Sequence, residues 1–101
     1  MPNSQVLSVF WTERALQNAV SIKSYLSSNF SFKEVENFFA ILQTFEIAVG
    51  AFPKLYPSST LKKNVRRAVL SHFLSAYYRI HKNKIEIISI LDNRCDISRW
   101  L

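Results

Sequence analysis

Few side chains in this sequence are of types that do chemistry, and their spacing first narrows what that chemistry is. His72, His81 and Cys95 are the only soft metal ligands. None stands in a Cys-x-x-Cys or His-x-x-x-His pattern that would assemble a tetrahedral site, so neither a metal nor any other cofactor is expected. A nucleophile elbow needs flanking glycines and a phosphate-cradling loop needs several, whereas Gly50 is the one glycine in 101 residues. Glu86, Asp92 and Asp96 lie among basic neighbours and do not read as paired carboxylates for general acid–base work. What remains is a series of cations interleaved with aromatics: Lys62, Lys63, Arg66 and Arg67, then Tyr77, Tyr78, Arg79 and His81, then Arg94. Guanidinium groups bind phosphates bidentately and aromatic rings stack on bases, so this set is suited to gripping a polyanion. Solvated cations blunting a sheet edge would use the same residue types.

The charge distribution favours the first of these readings. The chain carries 13 Lys and Arg against 7 Asp and Glu, a net +6. Residues 1–50 hold three basic and four acidic side chains, while residues 51–101 hold ten basic and three acidic. The whole excess therefore lies in the second half, which points to nucleic acid or an acidic protein segment as partner. With 49% hydrophobic residues the chain is no disordered tail, and its length suits one domain over 1–101. A lone cysteine excludes an internal disulfide and favours a reducing, cytoplasmic setting. No uncharged stretch approaches the roughly 20 residues that a membrane span needs, and no signal peptide is evident at Met1–Gln5.

The elements that must position the cations follow from periodicity. Val6 to Trp11 reads as a first strand. Thr12 is placed as an N-cap with Glu13 in the first turn. Ala15, Ala19, Ile22 and Leu26 then recur at helical spacing, widened by Leu16 and Val20, so 13–28 is an amphipathic helix ended by Asn29. Ser31 with Glu34 forms a capping-box pair, and Phe30 with Val35 a hydrophobic staple. Val35, Phe38, Leu42, Phe45 and Val49 make the second apolar stripe, with Phe39 broadening it and Gly50 as a left-handed C-cap. The short link makes the two helices an αα-hairpin. Pro53 and Pro57 stiffen an extended connection. The period then becomes two, giving strands over 65–70, 74–81 and 84–91, the last two joined by a tight turn at Lys82-Asn83. Strict alternation sends Arg66 and Arg67 to opposite faces, groups Tyr77, Arg79 and His81, and separates Ile85, Ile87 and Ser89 from Glu86, Ile88 and Ile90. Both faces of that last strand are rather apolar, as befits a central strand. The expected fold is α+β, in the order β-α-α-β-β-β. Its N-terminal strand joins a mostly antiparallel four-stranded sheet, and the αα-hairpin packs on one sheet face.

This ordered series resembles the RelE/ParE superfamily, the toxins of type II toxin–antitoxin (plasmid-stabilisation) modules. The likeness is carried by Phe10-Trp11-Thr12-Glu13-Arg14-Ala15, Phe52-Pro53-Lys54-Leu55-Tyr56-Pro57, Val65-Arg66-Arg67-Ala68-Val69, Tyr77-Tyr78-Arg79-Ile80 and Ile87-Ile88-Ser89-Ile90-Leu91-Asp92-Asn93-Arg94, and spans about Val6 to Asp96. The resemblance implies a bacterial, cytoplasmic, growth-inhibiting toxin, neutralised by an acidic and partly disordered antitoxin. It implies contact with operator DNA only through the antitoxin complex, and no membrane.

The superfamily divides into a branch that poisons DNA gyrase and a branch of metal-independent, ribosome-dependent mRNA endoribonucleases. For the second branch, Arg66, Arg67 and Arg94 would hold phosphate and His72, Tyr78 or His81 would move protons. Target contact in either branch would fall to Lys62, Lys63, Arg66, Arg67, Arg79 and Arg94. The tail Cys95-Asp96-Ile97-Ser98-Arg99-Trp100-Leu101 holds neither Tyr nor His, which tilts the reading slightly toward the gyrase branch. A non-toxic basic binding module is the third alternative.

Overall fold

A computed structural model describes residues 6–60 and 62–94. The elements run β1 (Ser8–Trp11), α1 (Glu13–Asn29), α2 (Phe32–Ala51), β2 (Arg66–Val69), β3 (Leu74–Ile80) and β4 (Lys84–Asp92). They form one four-stranded sheet in the order β1-β4-β3-β2. β2, β3 and β4 pair antiparallel and β1 runs parallel to β4, so the sheet is mixed and mostly antiparallel. β4 is central, as its apolar composition requires.

Each element begins and ends for a local reason. Thr12 is extended (φ −66°, ψ 161°) and its Oγ1 accepts the Ala15 N–H, satisfying one orphan donor of the first turn. The same hydroxyl donates to the Ile88 carbonyl at 2.9 Å and so ties the start of α1 to β4. Ser31 caps α2 by position alone, because its side chain makes no capping hydrogen bond. The expected capping box is not formed, since the Glu34 carboxylate is drawn instead to Arg94. Gly50 is not a left-handed C-cap either. It lies within α2, and a Cβ there would stand 3.1 Å from the Leu7 carbonyl oxygen. The missing side chain lets the lead-in to β1 run against the helix, where the Leu7 N–H donates to the Gly50 oxygen at 2.9 Å.

The helix–sheet interface buries Ile22 and Leu26 of α1, Phe38, Leu42, Phe45 and Val49 of α2, and Leu74, Ala76, Tyr78, Ile85, Ile87 and Ile90 of the sheet. Burying each large side chain of this set contributes about 1.5–3 kcal/mol. Leu16, Val20 and Phe39 do not join it; they are 53%, 64% and 47% exposed. A helix resting on a flat sheet buries a narrower stripe than periodicity alone suggests.

β4 departs from strict alternation. Tyr77 opposes Ser89 while Tyr78 opposes Ile87, so Ile88 is an extra residue in the ladder. This β-bulge flips every later side chain, and Ile90 and Asp92 join Ile85 and Ile87 on the helix-facing side. The bulge is held from α1, by Thr12 at the Ile88 oxygen and by Asn18 Oδ1, which accepts the Ile90 N–H.

The proline-containing connection is a turn, not an extended strut: the Leu55 N–H donates to the Phe52 oxygen across Pro53-Lys54. Proline's fixed φ suits the second position of such a turn. The chain then fastens along the outer edge of β2 through Ser59 N–H to Val65 O and Arg67 N–H to Pro57 O. Asn64 enters β2 through a left-handed conformation (φ 63°), which asparagine tolerates.

Candidate functional site

With the helices on one side, no element among the described residues covers the other sheet face, hereafter the open face. Register places Arg67 beside Tyr77, Tyr77 beside Ser89, Arg79 beside Glu86, and Glu86 beside Phe10 on that face. Arg67 is exposed and makes no side-chain hydrogen bond or ion pair with the described residues. Glu86 Oε1 lies 2.9 Å from His81 Nε2 and 3.7 Å from Arg79 Nη1. Lys84 Nζ sits 4.9 Å above the Phe10 ring. Tyr77, Arg79 and His81 are thus gathered as alternation predicts, with Arg67 alongside.

The other candidates serve the fold where they stand. Arg66 points to the helix side, and its Nη1 donates to the Tyr56 oxygen at 2.7 Å. Tyr78 is fully buried and its hydroxyl donates to the Pro53 oxygen at 2.6 Å. Burial pushes the Tyr78 phenol above its ordinary range, outweighing the nearby Arg66 charge. Lys62 and Lys63 are exposed on the approach to β2.

Arg94 is the most heavily engaged of all. Its Nε and Nη2 reach both oxygens of Asp92 at 3.0 and 2.7 Å, and Nη1 reaches Glu34 at 3.3 Å. Its guanidinium also lies 4.4 Å from the Phe73 ring centroid and 5.3 Å from that of Phe30. Hydrogen bonding to Asp92 holds Arg94 still further above its already high range, so it stays charged. Asp92 has no exposed surface, so this is a pair closed over a buried carboxylate. His72 is exposed and lines a small hollow with Arg94, Glu34, Asn37 and Ser71.

These two groupings lie at opposite ends of the β3–β4 hairpin. His81 follows Ile80 and His72 precedes Leu74, and the seven residues of β3 between them span about 20 Å at the usual strand rise. His81 and Arg94 are therefore not brought to one phosphate. The tail from Cys95 onward, with Arg99, lies outside the described residues.

Sequence reasoning passed over Glu86, which proves to be the carboxylate that organises Arg79 and His81. Its signal was available only as a cross-strand neighbour of Arg79, which requires the register.

Against solved structures this arrangement has clear counterparts. A chain of the chromosomal ParDE TA system from P. aeruginosa superposes with a TM-score of 0.75 at 17% identity, over 88% of this chain and 98% of that one. The RelE/ParE fold is present. The conserved hypothetical protein HP0894 from Helicobacter pylori matches with a TM-score of 0.57 at 10% identity, over 87% of this chain and 96% of its own. No family model matches the sequence, and no curated protein matches it. At these identities the shared property is the RelE/ParE fold itself, with its strand, helical hairpin and open-faced sheet. No helix among the described residues is long and apolar enough to cross a membrane.

Proposed function

We propose that this protein is the toxin of a type II toxin–antitoxin pair, arresting growth through its open sheet face and held inactive by an acidic antitoxin. The observation that carries the reading is the open face of a RelE/ParE fold bearing Arg67, Arg79 and Lys84 against the single carboxylate Glu86 among the described residues. A surface with that charge excess attracts either an anionic target or an acidic peptide that blocks it. The antitoxin complex, rather than this chain alone, would contact operator DNA.

The gyrase-directed branch is favoured. Arg94 and Tyr78, two candidates for phosphate binding and proton transfer, are spent on internal hydrogen bonds. The ribosome-dependent endoribonuclease remains the second reading because of one feature, His81 oriented by Glu86 at 2.9 Å. An imidazole fixed by a carboxylate has the arrangement of a general base.

The test is inducible expression alone and together with the adjacent reading frame. Growth arrest relieved by co-expression is expected, with altered plasmid supercoiling and intact mRNA. Discrete mRNA cleavage without a supercoiling change would move the assignment to the ribonuclease branch. Unimpaired growth at full soluble expression would leave only a basic binding module.

A further inference from the structure

Glu86 stands on a face whose other charged side chains, among the described residues, are the cations Arg67, Arg79 and Lys84. Among the described residues, Glu13, Glu34, Glu36 and Glu46 belong to the helices and Asp92 is buried on the helix side, so the open face holds this one carboxylate. We infer that Glu86 is the resident counter-anion of the open face: it occupies Arg79 and His81 until a phosphate of a single-stranded nucleic acid displaces it. It thereby sets how tightly such a strand is held. The inference rests on the reading of the open face as the working surface.

Geometry makes the exchange easy. The Glu86–Arg79 separation of 3.7 Å is an ion pair without a hydrogen bond, so the guanidinium donors are not spent on it. The side chains of Arg79, His81 and Glu86 are 36%, 38% and 22% exposed, and pairs this accessible to water are weakly held. A phosphate accepts two parallel N–H bonds from a guanidinium, which is the stronger arrangement. The exchange leaves the Glu86 carboxylate on the face without its cations and close to the incoming phosphate, so its charge opposes binding.

The neighbours indicate a single strand. Tyr77 lies two residues from Arg79 along β3 and directly across from Arg67. A ring between two cations offers a base a stacking surface, and a base face is accessible only when it is not enclosed in a duplex. Ser75 and Ser89 line the same face and add hydroxyl donors.

Binding of a labelled oligodeoxythymidylate, followed by fluorescence anisotropy across a salt series, tests this. Glu86→Gln keeps the shape and can still accept from His81 Nε2–H. It is expected to bind about fivefold more tightly than the parent protein across the salt series, because the phosphate no longer has a carboxylate charge to displace. Glu36→Gln makes the same charge change on the exposed side of α2 and is expected to stay within about twofold of the parent. Thermal melts establish that all three proteins are folded. Unchanged or weaker binding by Glu86→Gln overturns the inference, and so does an equal gain in Glu36→Gln. Preference for a duplex over the single strand overturns it as well. Absence of binding by all three proteins removes nucleic acid from the open face altogether, whereas the toxin reading is decided separately by growth after induction.

Discussion

At the scale of single residues, the same side-chain type does opposite work in different places. Arg67 has no side-chain partner among the described residues, while Arg94 closes over the buried Asp92 carboxylate and reaches Glu34. Removing a partner from a buried pair strands the other charge, at a cost of about 3–5 kcal/mol. Arg94→Ala is therefore expected to lower urea-unfolding stability by that order, and Arg94→Lys to restore little because an ammonium cannot make the bidentate contact. Any loss of activity in these variants would report folding. Tyr78 gives a pH-dependent counterpart. Its phenol is raised above the ordinary pKa of about 10 by burial, so the folded state holds that proton more tightly than the unfolded chain does. The resulting stability is complete below about pH 10 and is lost as pH climbs through the higher folded-state value. Tyr78→Phe should flatten this alkaline decline, while costing about 0.5–1.5 kcal/mol at neutral pH for the hydrogen bond to the Pro53 oxygen. Chemical denaturation at several pH values measures both effects.

At the scale of elements, periodicity located every helix and strand, while their ends and one register depended on contacts between elements. The N-cap at Thr12 was readable because the cap and the apolar stripe are local. That Thr12 also pins the β-bulge through the Ile88 oxygen was not, because the two residues are 76 positions apart. Thr12→Ala removes both hydrogen bonds and is expected to destabilise by about 1–2 kcal/mol, with Thr12→Ser recovering most of it; equilibrium urea titrations provide the check. The capping box and the glycine C-cap fail for a related reason. Glu34 and Gly50 have spacings that suit helix ends, yet a long-range partner claims each: Arg94 for the carboxylate and the Leu7 backbone for the glycine. Tertiary contacts override a local preference worth about 1 kcal/mol or less.

At the scale of the whole molecule, the charge excess of the second half divides into cations that face outward and cations that hold the fold together. Arg67, Arg79 and Lys84 share the open face. Arg66 and Arg94 are bound internally. On the proposed toxin reading, the double variant Arg67→Ala/Arg79→Ala is expected to lower growth inhibition at least about tenfold at equal soluble expression. Its thermal midpoint should move little, since surface substitutions usually change stability by about 0.5 kcal/mol or less. Full toxicity in a folded double variant would show that the open face is not where the protein works.

The sequence by itself determined the α+β order, the two-helix brace, the central apolar strand and the concentration of positive charge after residue 50. Those features arise from local periodicity and composition, which neighbouring residues express together. Tertiary structure alone decided which cations are available. It did so by placing Asp92 under Arg94, the Tyr56 carbonyl beside Arg66 and Glu86 beside Arg79. A hydrogen bond or ion pair forms wherever a partner is brought within reach: the bulge at Ile88 turns Asp92 inward, the β3–β4 register sets Glu86 beside Arg79, and the segment fastened along β2 brings the Tyr56 carbonyl to Arg66.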